Sequence, residues 1–316
     1  MNAALHRAGR LAIVLLIVTA FSSLMVDLLP GDPALAILGP EATPEQIAAL
    51  RHDLELDRPL PVRYLAWLGS AATGDLGSSV RTGQDVGAAI AQRLPVSLEL
   101  LLLSQILALA IAVLAAILAA AKPDGVFDRV VTTLSSVVLG LPAFVLGLVL
   151  ILLLSVQLGL LPTIGFTPLS EGVGQNLRSM ALPVLTVALG ETVVYIRVLR
   201  ADLLATLSES FIDVARAKGL SERRVMLGHA IRPSSLALVT LVGLNAGRLV
   251  GSAVIIESMF ALPGVGRLLV DAIADRDYTV VQGAVALIAV SYVLLNVAVD
   301  ALYGVIDPRV RHGHTR

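Results

Sequence analysis

Residues 101–121 read LLLSQILALAIAVLAAILAAA, a stretch without one charged side chain. About 20 apolar residues are enough for a helix to cross the hydrocarbon of a bilayer. Backbone N–H and C=O groups find no water there, so only helices or closed barrels can span it. A barrel strand alternates polar and apolar residues, and this run does not alternate, which excludes a barrel. Six segments meet the helical requirement: 11–29, 96–121, 130–156, 179–199, 234–256 and 280–303. The chain has 316 residues, 56% apolar and 15% charged, too little charge for the surface of a soluble domain of that length. The expected fold class is therefore all-α, a polytopic membrane protein with about six transmembrane helices whose solvent is the lipid bilayer. A net charge of -1 gives no case for nucleic acid. The absence of cysteine removes disulfides, thiol nucleophiles and Cys-based metal sites.

Lysine and arginine set the orientation. Arg7 and Arg10, Lys122 and Arg129, the stretch 200–233, and Arg309, Arg311 and Arg316 fall on one side if there are six spans. The short loops opposite carry Arg178, Arg267 and Arg276, so the basic side is expected to face the cytoplasm with both termini inside. Residues 11–29 read as a retained anchor rather than a cleaved leader. The small-residue site Ala34-Leu35-Ala36 lies beyond Asp27, Pro30, Asp32 and Pro33, well past the apolar run. The expected organisation is a cytosolic N-terminus and first span (1–29), an extracytoplasmic cap (30–95), a five-helix core (96–303) holding a loop at 200–233, and a cytosolic tail (304–316).

The cap is too polar to span. Thr43-Pro44-Glu45-Gln46 carries the signs of a helix start, with a capping threonine, a first-turn proline and glutamine at the capping-box position. That helix is expected to run to about Asp53 and to end before LDRPLP. A second piece around Tyr64–Leu68 precedes a turn at Gly74-Asp75-Leu76-Gly77. Ile47, Leu50, Leu54, Tyr64 and Trp67 need burial, which argues against an unstructured loop.

Phe211–Pro233 reads FIDVARAKGLSERRVMLGHAIRP, a charged interruption between two apolar runs. At 100° per residue, Phe211, Ile212, Val214 and Ala215 share a face, with Asp213 and Arg216 opposite at i,i+3 spacing. Gly219 suits a left-handed C-cap, Ser221 an N-cap, and Pro233 is expected to end the second helix. A short helix with a small apolar face and a charged rim suits another protein's groove. The physical pattern alone equally permits a surface helix resting on lipid headgroups.

DVARAKG (213–219) followed by LSERRVMLGHAIR (220–232) resembles the EAA signature of bacterial ATP-binding-cassette (ABC) importer permeases, in which the Ala-rich turn forms a coupling helix. The wording is closest to the dipeptide, oligopeptide and nickel permease family. Further matches follow in order: LLPGDPA (28–34), LDRPL (56–60), GDLGSS (74–79), ESMFALPGVGRLLVDAIADRDY (257–278) and VDALYGVIDPRVR (299–311). The resemblance runs essentially from end to end. Asp213 and Val214 stand where the signature usually has Glu and Ala, Glu55 where Gly is common, and Pro233 where Asn is usual. The resemblance implies a homologous second permease, two cytosolic ABC ATPases, an extracytoplasmic substrate-binding protein, and a bacterial inner-membrane location. It implies that Phe211, Asp213, Val214, Ala215, Lys218 and Gly219 couple the chain to the ATPases. The two lysines, Lys122 and Lys218, precede Pro123 and Gly219, so no G-x-x-x-x-G-K-[ST] loop can be written. No cofactor is expected on this chain, and ATP with magnesium belongs to the partner ATPases.

Polar residues inside spans are functional candidates by default. Glu191 lies near the middle of the fourth span, and Asn245 and Arg248 near the middle of the fifth. These three are the candidate translocation pathway. A depth gap on the order of 9 Å separates Glu191 from Arg248 at 1.5 Å per residue, so a direct pair is a stretch. A polar contact with the partner permease is the alternative role. Gly243, Gly247 and Gly251 step along the fifth span at a spacing that suits close helix packing. Gly140-Leu141-Pro142 and Pro183 interrupt the third and fourth spans, and Pro263-Gly264-Val265-Gly266 reads as a tight turn. His6, His52, His229, His312 and His314 all fall in loops or tails, which argues against an intramembrane protease or a metal centre. No internal repeat joins 1–156 to 157–316, which weighs against an ion-coupled secondary transporter, the competing reading. Peptides are the expected cargo, with nickel chelates and glutathione-like solutes left open.

Overall fold

The computed structural model describes residue 9 and residues 13–24, 33–39, 41–53 and 56–306. The basic residues Arg7, Arg10, Arg309, Arg311 and Arg316, the histidines His6, His312 and His314, Glu55, and parts of the first and last family motifs lie outside them. In chain order the helices are α1 (Ile13–Leu24), α2 (Pro33–Leu38), α3 (Pro44–Asp53), α4 (Leu60–Ala72), α5 (Val86–Ala121), α6 (Val126–Leu139), α7 (Ala143–Leu150), α8 (Val173–Leu207), α9 (Ser210–Ala217), α10 (Glu222–Val225), α11 (Ile231–Met259), α12 (Val265–Ala274) and α13 (Tyr278–Ile306). The described residues contain no strand, only an isolated antiparallel bridge between Ser78 and Asp85. The protein is an all-α membrane protein. The long apolar helices are α5, α8, α13 and the one leading from Glu222 into α11. A bent pair of α6 with 143–157, where a π-helix (Ile151–Gln157) continues α7, makes a fifth candidate span, and α1 is a shorter apolar helix where the first span was expected.

Several helix ends differ from the sequence expectation. The second span begins at Val86, not near 96, and carries Pro95 inside the helix. Asp85 caps it, its Oδ1 accepting from Ala88 N–H at 2.7 Å. The third span is broken rather than continuous: α6 and α7 meet at 112° around Gly140-Leu141-Pro142. Pro142 sits at the N-cap of α7, where its missing N–H costs nothing. Pro183, by contrast, is carried inside an uninterrupted α8. Pro233 does not end a helix either. A π-turn at Met226–Ala230 joins α10 to α11 just before it. The wider turn already departs from i→i−4 bonding, so the proline is absorbed there. Pro263 and Gly264 form the expected turn, but Val265 at once starts the ten-residue α12.

The chain divides into two compact units, residues 1–97 with 263–294, and residues 98–262 with 295–316. In the first, Tyr64 of α4 donates to Leu16 O at 3.1 Å and lies 2.9 Å from Thr19 Oγ1, which ties α4 to α1. The capping box forms as expected: Thr43 N–H donates to Gln46 Oε1 at 2.9 Å, and Gln46 N–H to Thr43 Oγ1 at 3.3 Å. Its own backbone N–H and the Thr43 side chain hold the Glu45 carboxyl below its usual range. Two motifs nearly two hundred residues apart converge here. Ser79 of GDLGSS donates to the buried Asp277 of ADRDY, and Thr279 packs against Gly77, which has φ +86°. In the same unit Val86 and Ile90 of α5 pack with Ala272 and Val280.

In the second unit α8 packs against α6, α7 and α11. Ala108, Ala112, Ala116 and Ala120 form a stripe along α5, buried against Ala188, Tyr195, Leu199 and Leu203 of α8. Leu102, Ile106, Leu114 and Leu118 on the same helix are exposed. Small residues inside and large ones outside are the membrane arrangement, because small side chains let backbones approach while lipid tails solvate leucine. Gly243 does the same for α11, since a Cβ there would overlap Val299. The expected spacing partner Gly251 faces open space.

One ion pair fastens α6 to α8. Arg200 Nε and Nη2 donate to the two oxygens of Asp128, the second at 2.7 Å, and Asp128 is 2% exposed. Asp128 also accepts from Asp124 N–H at 2.9 Å. Removing one partner leaves the other uncompensated. Asp128→Asn is therefore expected to lower the thermal unfolding midpoint of the detergent-solubilised protein, by a loss of about 2 kcal/mol. That is less than for a deep pair, because Arg200 keeps part of its side chain in water. Asp213→Asn, which loosens a 3.6 Å pair between two exposed side chains, Asp213 and Arg216, is expected to leave the midpoint unchanged in the same melt.

Candidate coupling helix and polar cleft

The α9 segment starts from Glu209, an extended N-cap residue one position after α8 closes at Ser208. Its other end is a complete Schellman motif. Gly219, with φ +81°, donates to Arg216 O at 2.9 Å, and Leu220 N–H donates to Ala215 O at 3.3 Å. Leu220 also packs on Ala215. Gly219 is required here because a left-handed residue must follow Lys218 for the chain to reverse into α10.

The broad apolar face expected from the helical wheel splits in two. Ile212 (0% exposed) and Ala215 turn inward against Val225, Leu207 and Leu220. Phe211 and Val214, 46% and 54% exposed, point outward, and Lys218 lies on their side of the wheel. Half of the stripe anchors the helix and half is presented. The reason is geometric: α10 lies against one edge of a face some 160° wide and covers only that edge. The expected Asp213–Arg216 pair is present at 3.6 Å. A closer partner was not marked by the sequence pattern: Arg216 donates to Glu222 Oε1 at 2.9 Å and Oε2 at 3.3 Å, bracing α9 against α10. That carboxylate raises the Arg216 pKa further, so the fork stays charged. Ser221 occupies the expected N-cap position but makes no side-chain cap bond.

Glu191 of α8 and Arg248 of α11 do not pair directly. Asn245 stands between them, its Nδ2 donating to Glu191 Oε2 at 3.1 Å while its Oδ1 accepts from Arg248 Nη1 at 3.4 Å. Glu191 and Arg248 line a cleft of about 230 Å3 with Leu139, Leu141, Gly190 and Ser252. The break between α6 and α7 forms one wall. One turn along α8 from Glu191, the fully buried Tyr195 shares a hydrogen bond with Gln105 of α5 at 3.1 Å. The sequence reading passed over Tyr195 and Gln105, as it did Asp128 and Arg200. Gln105 did carry a signal, being the only amide in the apolar run 101–121. No feature of the sequence pairs Asp128 with Arg200, since the two sit 72 positions apart.

Long apolar helices, interrupted by a short anchored helix with an exposed apolar edge, define a polytopic all-α membrane protein. Residues 108–312 match the family model of binding-protein-dependent transport system inner membrane components, and residues 1–101 match the model for the N-terminal part of such components. A probable peptide ABC transporter permease of Sinorhizobium fredii is 36% identical over 95% of this chain and 96% of its own. A putative peptide transport system permease of Brucella abortus is 39% identical, with 98% of each covered. A glutathione transport system permease of Salmonella choleraesuis is 38% identical, with 99% of each covered. Among solved structures, a chain of the inward-facing MetNI methionine ABC transporter aligns with a TM-score of 0.57 at 15% identity. That alignment covers 69% of this chain and 96% of the other, and bears on the fold alone. The chain belongs to the family of binding-protein-dependent transport system inner membrane components. It is a permease subunit of an ABC importer, a membrane component and not an enzyme.

The division of the α9 face makes a paired prediction. Ile212→Ala removes a fully buried side chain and is expected to destabilise the detergent-solubilised protein by about 2 kcal/mol, the low end for such truncations on a short peripheral helix. Phe211→Ala, on the outward half, is expected to stay within about 0.5 kcal/mol of wild type in the same thermal melt.

Proposed function

We propose that this chain forms, with a homologous second permease, the translocation pathway of an importer for di- or oligopeptides. Two cytosolic ABC ATPases drive it, and an extracytoplasmic binding protein supplies the cargo. The observation that carries the coupling part is the outward edge of α9, Phe211 and Val214, on a helix held rigid from behind by Ile212, Ala215 and the Gly219 cap. An exposed apolar edge on a short anchored helix suits a groove in another protein, with Asp213 and Lys218 as its charged rim. On this reading Phe211, Asp213, Val214, Ala215, Lys218 and Gly219 make up the coupling element, within the loop 200–233. ATP and magnesium bind the partner ATPases. Residues 30–95 serve as the platform for the binding protein, and both termini lie in the cytoplasm.

ATPase closure on ATP moves the two docking grooves together, and rigid spans carry that displacement to the pathway. The transporter is then a two-state body whose equilibrium ATP biases through α9. Glu191, Asn245 and Arg248 line the pathway on this subunit. Peptide cargo is supported by the names of the relatives from Sinorhizobium and Brucella. Glutathione, itself a peptide, is a second reading supported by the Salmonella relative.

Reconstitution of the full transporter in proteoliposomes tests the reading. Peptide uptake is expected to follow internal ATP and to ignore an imposed proton gradient; uptake that follows the gradient would sink it. Deleting 211–219 is expected to abolish uptake while the spans still insert. Phe211→Ala is expected to weaken ATPase binding by at least about tenfold, which corresponds to about 1.4 kcal/mol, as for an interface anchor.

A further inference from the structure

Arg248 stands eleven residues before the end of α11, with about 17 Å of helix beyond it. It is exposed, and it is the one charged side chain of α11 between Arg232 and Glu257. A guanidinium has five N–H donors. Among the described residues it donates one side-chain hydrogen bond, at 3.4 Å to Asn245 Oδ1. Glu191 comes no closer than through Asn245, a residue 4% exposed whose amide is used at both ends. Only one orientation of that amide satisfies both neighbours, with the carbonyl toward the cation and the NH2 toward the carboxylate. Asn245 therefore keeps the two charges linked but apart, and leaves most of the Arg248 fork open to the cleft.

A cation at this depth is costly against lipid, so the arginine belongs to a polar cleft or a protein contact. The cleft it faces is small, about 230 Å3, and is also lined by Ser252 and Thr186. The planar fork matches a carboxylate with two parallel bonds. A phosphate dianion would fit the same fork but would meet the Glu191 carboxylate in the same cleft, with like charges in a poorly screened site. A zwitterion meets the opposite situation, its carboxylate toward Arg248 and its ammonium toward Glu191.

We propose that Arg248 is a cargo-recognition residue, binding the free C-terminal carboxylate of a peptide as it passes through the cleft. The proposal rests on the peptide-permease reading above. It adds a selectivity step inside the membrane, after the binding protein has released its cargo.

The test uses the complete transporter in proteoliposomes, with dialanine and dialanine amide as probes, each presented on saturated binding protein. Wild type is expected to carry the acid at least about tenfold faster than the amide, the range of one lost charge-assisted bond pair. In Arg248→Gln the ratio is expected to fall close to one. In Arg248→Lys, which keeps the charge but not the fork, it is expected to fall several-fold. Unchanged ratios, with both probes slowed in parallel, would overturn the proposal and make Arg248 a structural contact with the partner permease. If the glutamine variant does not assemble, the lysine variant decides by the same ratio. A wild-type transporter that carries both probes equally overturns this proposal alone. One that carries neither overturns the peptide reading and this proposal with it.

Discussion

A backbone amide left without a partner in hydrocarbon costs several kcal/mol, and that one penalty shapes this molecule. It forces the apolar segments into helices and leaves irregular backbone only where protein or water can satisfy it. The two proline-containing interruptions illustrate the rule. At Pro142 the helix is given up and restarted at 112°, with the break lining a cleft that also holds Glu191 and Arg248. At Pro233 the helix is kept, because a π-turn has already loosened the bonding pattern.

Since lipid solvates leucine as well as protein does, apolarity cannot decide which face of a span turns inward. Packing decides it instead, through the alanine stripe of α5, the close approach at Gly243, and a few polar fasteners. Asp128–Arg200, Tyr195–Gln105 and Glu191–Asn245–Arg248 each cross between helices of the second unit. In that setting α9 is unusual, being built by ordinary aqueous rules. It has a buried edge, a glycine cap and exposed ion pairs, and its remaining apolar edge is presented to solvent. The proposed coupling role follows from that contrast.

Local features were legible wherever one residue type answers one backbone need. The Thr43–Gln46 box, the turn glycines at 74 and 77, and the left-handed Gly219 could be placed from the sequence because each depends on neighbours within a few positions. Arg216 shows where that limit falls. Its i+3 partner Asp213 was visible, but the better partner, Glu222, lies across a turn whose geometry the helical wheel does not contain. Ser79 and Asp277 are further still, and their meeting depends on how α12 and α13 fold back.

The sequence by itself determined the helical membrane class and the resemblance to importer permeases, because an unbroken apolar run of about twenty residues that does not alternate admits one kind of backbone. The tertiary structure alone decided which half of the α9 face is anchored and which is offered. It also decided that Asn245, not a direct ion pair, joins Glu191 to Arg248, and that the third span breaks where it does. The physical reason is that hydrogen-bond and van der Waals contacts act over a few ångströms. Only the packed chain determines which side chains, 54 or 198 positions apart, come that close.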